Sequence, residues 1–95
     1  MQDRKFIWDE EKQNENIRKH GLSFNEASTV FEDENALLKH DPDHSQDEER
    51  FIILGFSERA RLLMVCHCYR VDDSVIRLIS ARKANNKEYI EYGGV

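Results

Sequence analysis

Three strand-sized apolar runs follow one another in the second half of the chain, Arg50 to Phe56, Arg61 to Tyr69 and Val75 to Ala81. Each is rich in Ile, Leu, Val, Phe or Tyr, and the links Ser57-Glu58-Arg59-Ala60 and Arg70 to Ser74 are short and polar. Such spacing predicts an antiparallel meander. Apolar side chains fall on both parities, Leu62 and Met64 against Leu63 and Val65, so both sheet faces need at least partial cover.

Two helices that can cover one face are marked in the first half. Asp9 reads as an N-cap, with Glu10 and Glu11 in the first turn and Arg18, Lys19 and His20 before Gly21, which marks both ends of a helix. Its interior is polar, and Lys12, Asn16 and His20 recur at four-residue spacing along one face, either solvated or assigned to a site. Ser23 with Glu26 reads as a capping box for a second helix to about Glu32, whose apolar stripe is Phe24, Ala27, Val30 and Phe31. Lys5 to Asp9 reads as a short opening strand with Phe6 and Trp8 on one side, and Ala36 to His40 as another. Asp41 to Asp47, which holds the sole proline, reads as an acidic exposed turn, and Lys83 to Glu91 as a short last helix. The expected class is α+β, in the order β-α-α-β-β-β-β-α, with both early helices on one face of an antiparallel-rich sheet.

At 95 residues there is room for a single domain over 1–95 and one modest core. No stretch approaches the roughly 20 apolar residues that cross a bilayer, and no signal-peptide apolar region follows Met1, so a cytoplasmic protein without membrane contact is expected. Cys66 and Cys68 are the only cysteines and lie too close on an extended strand to bridge, in keeping with a reducing compartment. The net charge of −5 argues at first against a nucleic-acid binder. It conceals an asymmetry: Met1 to Glu49 carries six cations against fourteen acids, whereas Arg50 to Val95 carries eight against five, and six of those eight are arginine. The arginine fork suits phosphate oxygens.

Several pieces in register then carry a resemblance. Phe6-Ile7-Trp8-Asp9 with Lys12 and Asn16, Lys19-His20-Gly21-Leu22-Ser23-Phe24 with Glu26-Ala27 and Val30-Phe31, Asp43-His44-Ser45, Glu48-Glu49-Arg50, Gly55-Phe56-Ser57, Arg61-Leu62-Leu63 and Ile76 to Ala84 together resemble the BrnT toxin family, over nearly the whole chain. Two local departures are Cys66-His67-Cys68, where ordinary strand residues are usual, and Ala60, where glycine is common. The resemblance implies a RelE-like fold, a ribonuclease that arrests translation, and neutralisation by a BrnA-like antitoxin through which alone the protein would meet DNA.

Cutting RNA without a metal needs a base for the ribose 2′-hydroxyl, cations for the phosphorane-like transition state and an acid for the leaving 5′-oxygen. Arg61, Arg82 and Arg77 are the arginines expected to serve, because side chains from neighbouring strands can converge on one phosphate. Arg77 and Arg82 differ in parity, so a regular strand would point them to opposite faces. For each, a structural ion pair with the acidic first half is the competing reading. His20 is the acid/base candidate, against a plain helix-capping role, and Glu49 the candidate general base, against a solvated charge. His44 reads as a loop residue bonding backbone; Tyr89, Tyr92 and Trp8 read as packing residues. Cys66 and Cys68 face one way and His67 the other, which opposes a shared metal ion, so no metal or cofactor is expected. The rival to the enzyme is a non-catalytic module whose basic face holds an acidic partner.

Overall fold

A computed structural model describes residues 4–44 and 47–93. The elements in chain order are β1 (Lys5–Ile7), α1 (Glu10–His20), α2 (Phe24–Ser28), β2 (Leu37–His40), β3 (Phe51–Phe56), β4 (Leu62–Arg70), β5 (Val75–Lys83) and α3 (Asn86–Tyr92). Short 3₁₀ turns at Thr29–Glu32 and Pro42–His44 flank β2. The fold is α+β, with a five-stranded mixed sheet in the order β1-β5-β4-β3-β2. The meander is antiparallel throughout, while β1 pairs in parallel with β5 at the edge.

The caps explain the helices. Asp9 accepts from the backbone N–H of Glu11 and Lys12, and Gly21 adopts φ 67 with its N–H on the Ile17 carbonyl, closing α1 at both ends. Inside α1 the residues that turn inward are polar. Gln13 accepts the Phe24 N–H at 3.0 Å, and Asn16 donates to the Leu22 carbonyl and accepts the Ala81 N–H, both at 3.0 Å. Because β1 covers only Val75 to Arg77, the Ala81 N–H lies on β5 beyond the reach of β1, and Asn16 satisfies it there. Of the four-spaced series, Asn16 is therefore structural, whereas Lys12 and His20 are exposed.

Ser23 does cap α2, accepting the Glu26 N–H, but the Glu26 side chain points elsewhere, so the reciprocal half of the expected box is missing. The true capping box is at α3, between Asn85 and Glu88. The core lies between α1, α2 and one sheet face: Leu22, Phe24, Ala27 and Val30 pack on Leu63, Val65, Ile76 and Leu78, all fully buried. Burial of each large side chain contributes roughly 1.5–3 kcal/mol. Gly55 is required by close approach, since a Cβ there would stand 2.9 Å from the Ala36 Cβ and 3.0 Å from Val30 Cγ1.

The second face is covered only at one end, where α3 lies against β3, with Tyr92 5.1 Å from Phe56 and its hydroxyl donating to Asp33 at 2.6 Å. The rest is open, and β5 changes what it presents. Cys66 pairs with Ser80 but His67 with Leu78, so Ile79 is an extra residue in β5. Arg82 then opposes Met64 and Arg77 opposes Cys68, two β4 residues of equal parity. The bulge thus puts Arg77 and Arg82 on the same face, correcting the expectation from strict alternation.

Candidate active site

A hollow of about 290 Å³ lies on the open face. Ile52, Met64, Cys66 and Ile79 line it, together with His20, Asp41, His44, Arg50 and Arg82. The polar groups arrive from four parts of the chain: His20 from the last position of α1, Asp41 and His44 from the turn after β2, Arg50 from the entry to β3, and Arg82 from β5.

Two of these side chains are held by carboxylates. The His44 Nδ1 lies 2.9 Å from Asp41 Oδ2, and a carboxylate can only accept, so Nδ1 carries a proton there and Nε2 is the nitrogen turned away from the anchor. Asp41 is nearly buried while the His44 ring is two-thirds exposed, so the anchor is fixed and the imidazole accessible. Arg82 donates to both Glu88 oxygens, at 2.9 and 2.7 Å, and to the Lys83 carbonyl at 3.2 Å. These bonds use three of the five N–H donors of a guanidinium and fix its plane. The Arg82 guanidinium in turn holds the Glu88 carboxyl below the usual carboxylate range. Burial pushes the Cys66 thiol up, which keeps it protonated at neutral pH and unsuited to nucleophilic chemistry.

Of the expected site residues, the fold brings His20 and Arg82 into this hollow and leaves the others outside it. Arg77 shares the face but lies farther along β5, its Nη1 on Glu48 at 3.2 Å. Glu49 is exposed and pairs with His40 Nε2 at 2.9 Å. Arg61 sits on the far side of the molecule from the arginine face: its Nε and Nη2 donate to the two oxygens of the nearly buried Glu26, which also accepts the Ser57 hydroxyl at 2.7 Å. With its fork occupied by a buried carboxylate, Arg61 braces α2 against the β3–β4 hairpin, and the hydrogen bonds from Arg61 hold Glu26 below the usual carboxylate range. His44 departs from the expected backbone-bonding role through Asp41. The sequence signal for it was the three-residue spacing of Asp41 and His44 around Pro42, which suits one turn of 3₁₀ helix. Arg50 stood only within the piece Glu48-Glu49-Arg50 of the resemblance, with no role of its own.

Cys66 and Cys68 face the open side and His67 the core, where its ring stands 4.8 Å from Phe31. Among the described residues no group of three or more His, Cys, Asp or Glu is placed to hold a metal ion, and no helix is long and apolar enough to cross a membrane.

A small α+β domain with one sheet face sealed by helices and the other lined by arginines beside an aspartate-held histidine belongs among proteins that act on anionic substrates. The family model for the ribonuclease toxin BrnT of type II toxin-antitoxin systems matches residues 8–88, and the chain belongs to that family. Among solved structures, the Brucella abortus ribonuclease toxin BrnT is similar, with a TM-score of 0.62 and 28% identity over 87% of this chain and 99% of that one. No curated protein matches the sequence. The protein is thus a BrnT ribonuclease toxin, and its class implies an antitoxin partner.

Proposed function

We propose that the protein is a metal-independent endoribonuclease with a RelE-like fold, a single toxin domain over residues 1–95 that works in the cytoplasm and arrests translation. The observation that carries the reading is the convergence of an Asp41-held His44 with Arg50, Arg82 and His20 on one hollow. In this reading His44 Nε2 takes the proton of a ribose 2′-hydroxyl as that oxygen attacks the adjacent phosphorus. Arg50 and Arg82 stabilise the charge that builds on the non-bridging oxygens, and Glu88 keeps Arg82 in position. His20 donates a proton to the departing 5′-oxygen. The products are a 2′,3′-cyclic phosphate and a free 5′-hydroxyl, so no water or metal is consumed in the cut.

Arg77 belongs in this scheme to the surface that holds RNA, while Arg61 and Glu49 contribute structure. The antitoxin would be BrnA-like, and any contact with DNA would come through it. The non-catalytic alternative gives the Asp41–His44 pair no role.

Purified full chain is expected to cut RNA in excess EDTA. His44→Gln and Arg82→Lys are each expected to slow the cut by roughly 10²-fold or more, with melting temperatures close to the parent. Loss of cleavage in EDTA, or parental rates in both variants, would overturn the assignment.

A further inference from the structure

We propose that Arg70 and Arg77 form a second anion subsite on the arginine face, which takes a phosphodiester of the RNA flanking the cut, and that the Glu48 carboxylate occupies it until RNA displaces it. The inference rests on reading the hollow as the cutting site and extends it along the sheet.

Glu48 Oε1 lies 3.3 Å from Arg70 Nη2, and its Oε2 lies 3.2 Å from Arg77 Nη1. One carboxylate bridging two guanidinium groups occupies the place that two phosphate oxygens would take. The distances separate this contact from the Arg61–Glu26 and Arg82–Glu88 pairs. Charge-assisted N–H···O bonds run at about 2.7–2.9 Å, as Arg82–Glu88 does, whereas those of Glu48 are at or past the long end of ordinary bonds. Arg70 is about half exposed, Glu48 and Arg77 about a quarter, and exposed pairs of this kind hold weakly. The acid is therefore a displaceable occupant.

Arg77 pairs with Cys68 and Arg70 with Val75, so the two arginines come from adjacent strands on the face that also carries Arg82. Arg77 and Arg82 are five positions apart on β5, but the bulge at Ile79 takes up one of them, so they oppose Cys68 and Met64, four residues apart on β4 and about 13 Å at the rise of an extended strand, which is still more than one nucleotide step. A smaller hollow of about 230 Å³, lined by Asp43, His44, Asp47, Glu48 and Arg50, shares His44 and Arg50 with the first site and Glu48 with the second.

The test measures equilibrium binding of the full chain to 2′-O-methyl RNA, which lacks the attacking hydroxyl, as a dimer and as an octamer over a range of salt. Glu48→Gln is expected to tighten octamer binding several-fold and to steepen the dependence of log K on log salt by roughly 0.7, the increment for one phosphate on a single strand, with dimer binding unchanged. Arg70→Ala, at a more exposed position, should make the slope shallower by about the same amount. Octamer affinity and slope at parental values in both variants would overturn the subsite while leaving the hollow to stand on its own cleavage results. The converse pattern, octamer binding shifted as expected while His44→Gln and Arg82→Lys still cut, would support the subsite and remove the cutting assignment from the hollow. Weaker octamer binding in Glu48→Gln would also overturn the proposal.

Discussion

His67 is fully buried and still titratable, which gives one residue a measurable signature. Its Nδ1 faces the Val65 carbonyl at 3.1 Å, so Nδ1 carries the proton, and its Nε2 meets the Tyr69 hydroxyl at 3.2 Å. Burial, with Arg4 adding a smaller push, lowers the ring from 6.5 to about 4. Between those values the unfolded chain binds a proton that the native state refuses. Stability therefore falls as pH drops from about 6.5 and levels off below about 4, a loss of about 3 kcal/mol over the whole window. Glu26 and Glu88 are lowered by their arginines, and Asp33 by its hydrogen bonds from Tyr92, Phe56 and Asn35 despite burial, so their contributions vanish only below their ordinary 3.8 to 4.5. The urea midpoint is thus expected to decline between pH 6.5 and 5 in the parent and to stay nearly flat there in His67→Leu. An equal decline in both would reject the attribution. At this scale the sequence was readable where strand alternation decides, as with the opposite facing of His67 and its two cysteine neighbours. It was unreadable where partners are distant in the chain, as with Glu26 and Arg61, which are 35 positions apart.

The elements show the same division between local and non-local information. The N-cap of α1 and the glycine after it were legible because caps are made by neighbours. The box expected at Ser23 failed because Arg61 and Ser57, from the far hairpin, claim the Glu26 side chain. The bulge at Ile79 leaves no trace in alternation, yet it aligns Arg77 with Arg82. The hairpin between β3 and β4 carries a testable strain. The Ala60 N–H bonds the Ser57 carbonyl, the Ser57 N–H bonds the Arg61 carbonyl, and Ala60 sits at φ 59. This is the left-handed position of a three-residue hairpin loop, where a Cβ costs about 1–2 kcal/mol and glycine costs only its extra freedom in the unfolded chain. Ala60→Gly is therefore expected to stabilise the fold by ~0.5–1 kcal/mol, read as a higher denaturation midpoint at unchanged m-value. A lower midpoint would show that the turn relaxes in some other way.

For the whole molecule, the division into an acidic first half and a basic second half does not become two charged lobes, because Glu26 and Glu48 pair with Arg61 and Arg77 across it. What segregates is the sheet: helices seal one face and arginines line the other. The two sides meet at the edge of β5, where Asn16 bridges the Ala81 N–H and the Leu22 carbonyl. One turn later the same helix ends at His20, which lines the hollow beside Arg82. A side chain in the core layer therefore sets the position of one in the site. Replacing Asn16 with Ala leaves two buried backbone groups without partners, a loss of roughly 2–4 kcal/mol. It also loosens the last turn of α1 from the β5 edge. Asn16→Ala is expected to lower the melting temperature and, at a temperature where circular dichroism shows the chain folded, to slow RNA cleavage about tenfold with little change in RNA affinity. A folded Asn16→Ala protein that cuts at the parental rate would mean that His20 is placed by Gly21 and the loop alone, and that the helical layer contributes only stability.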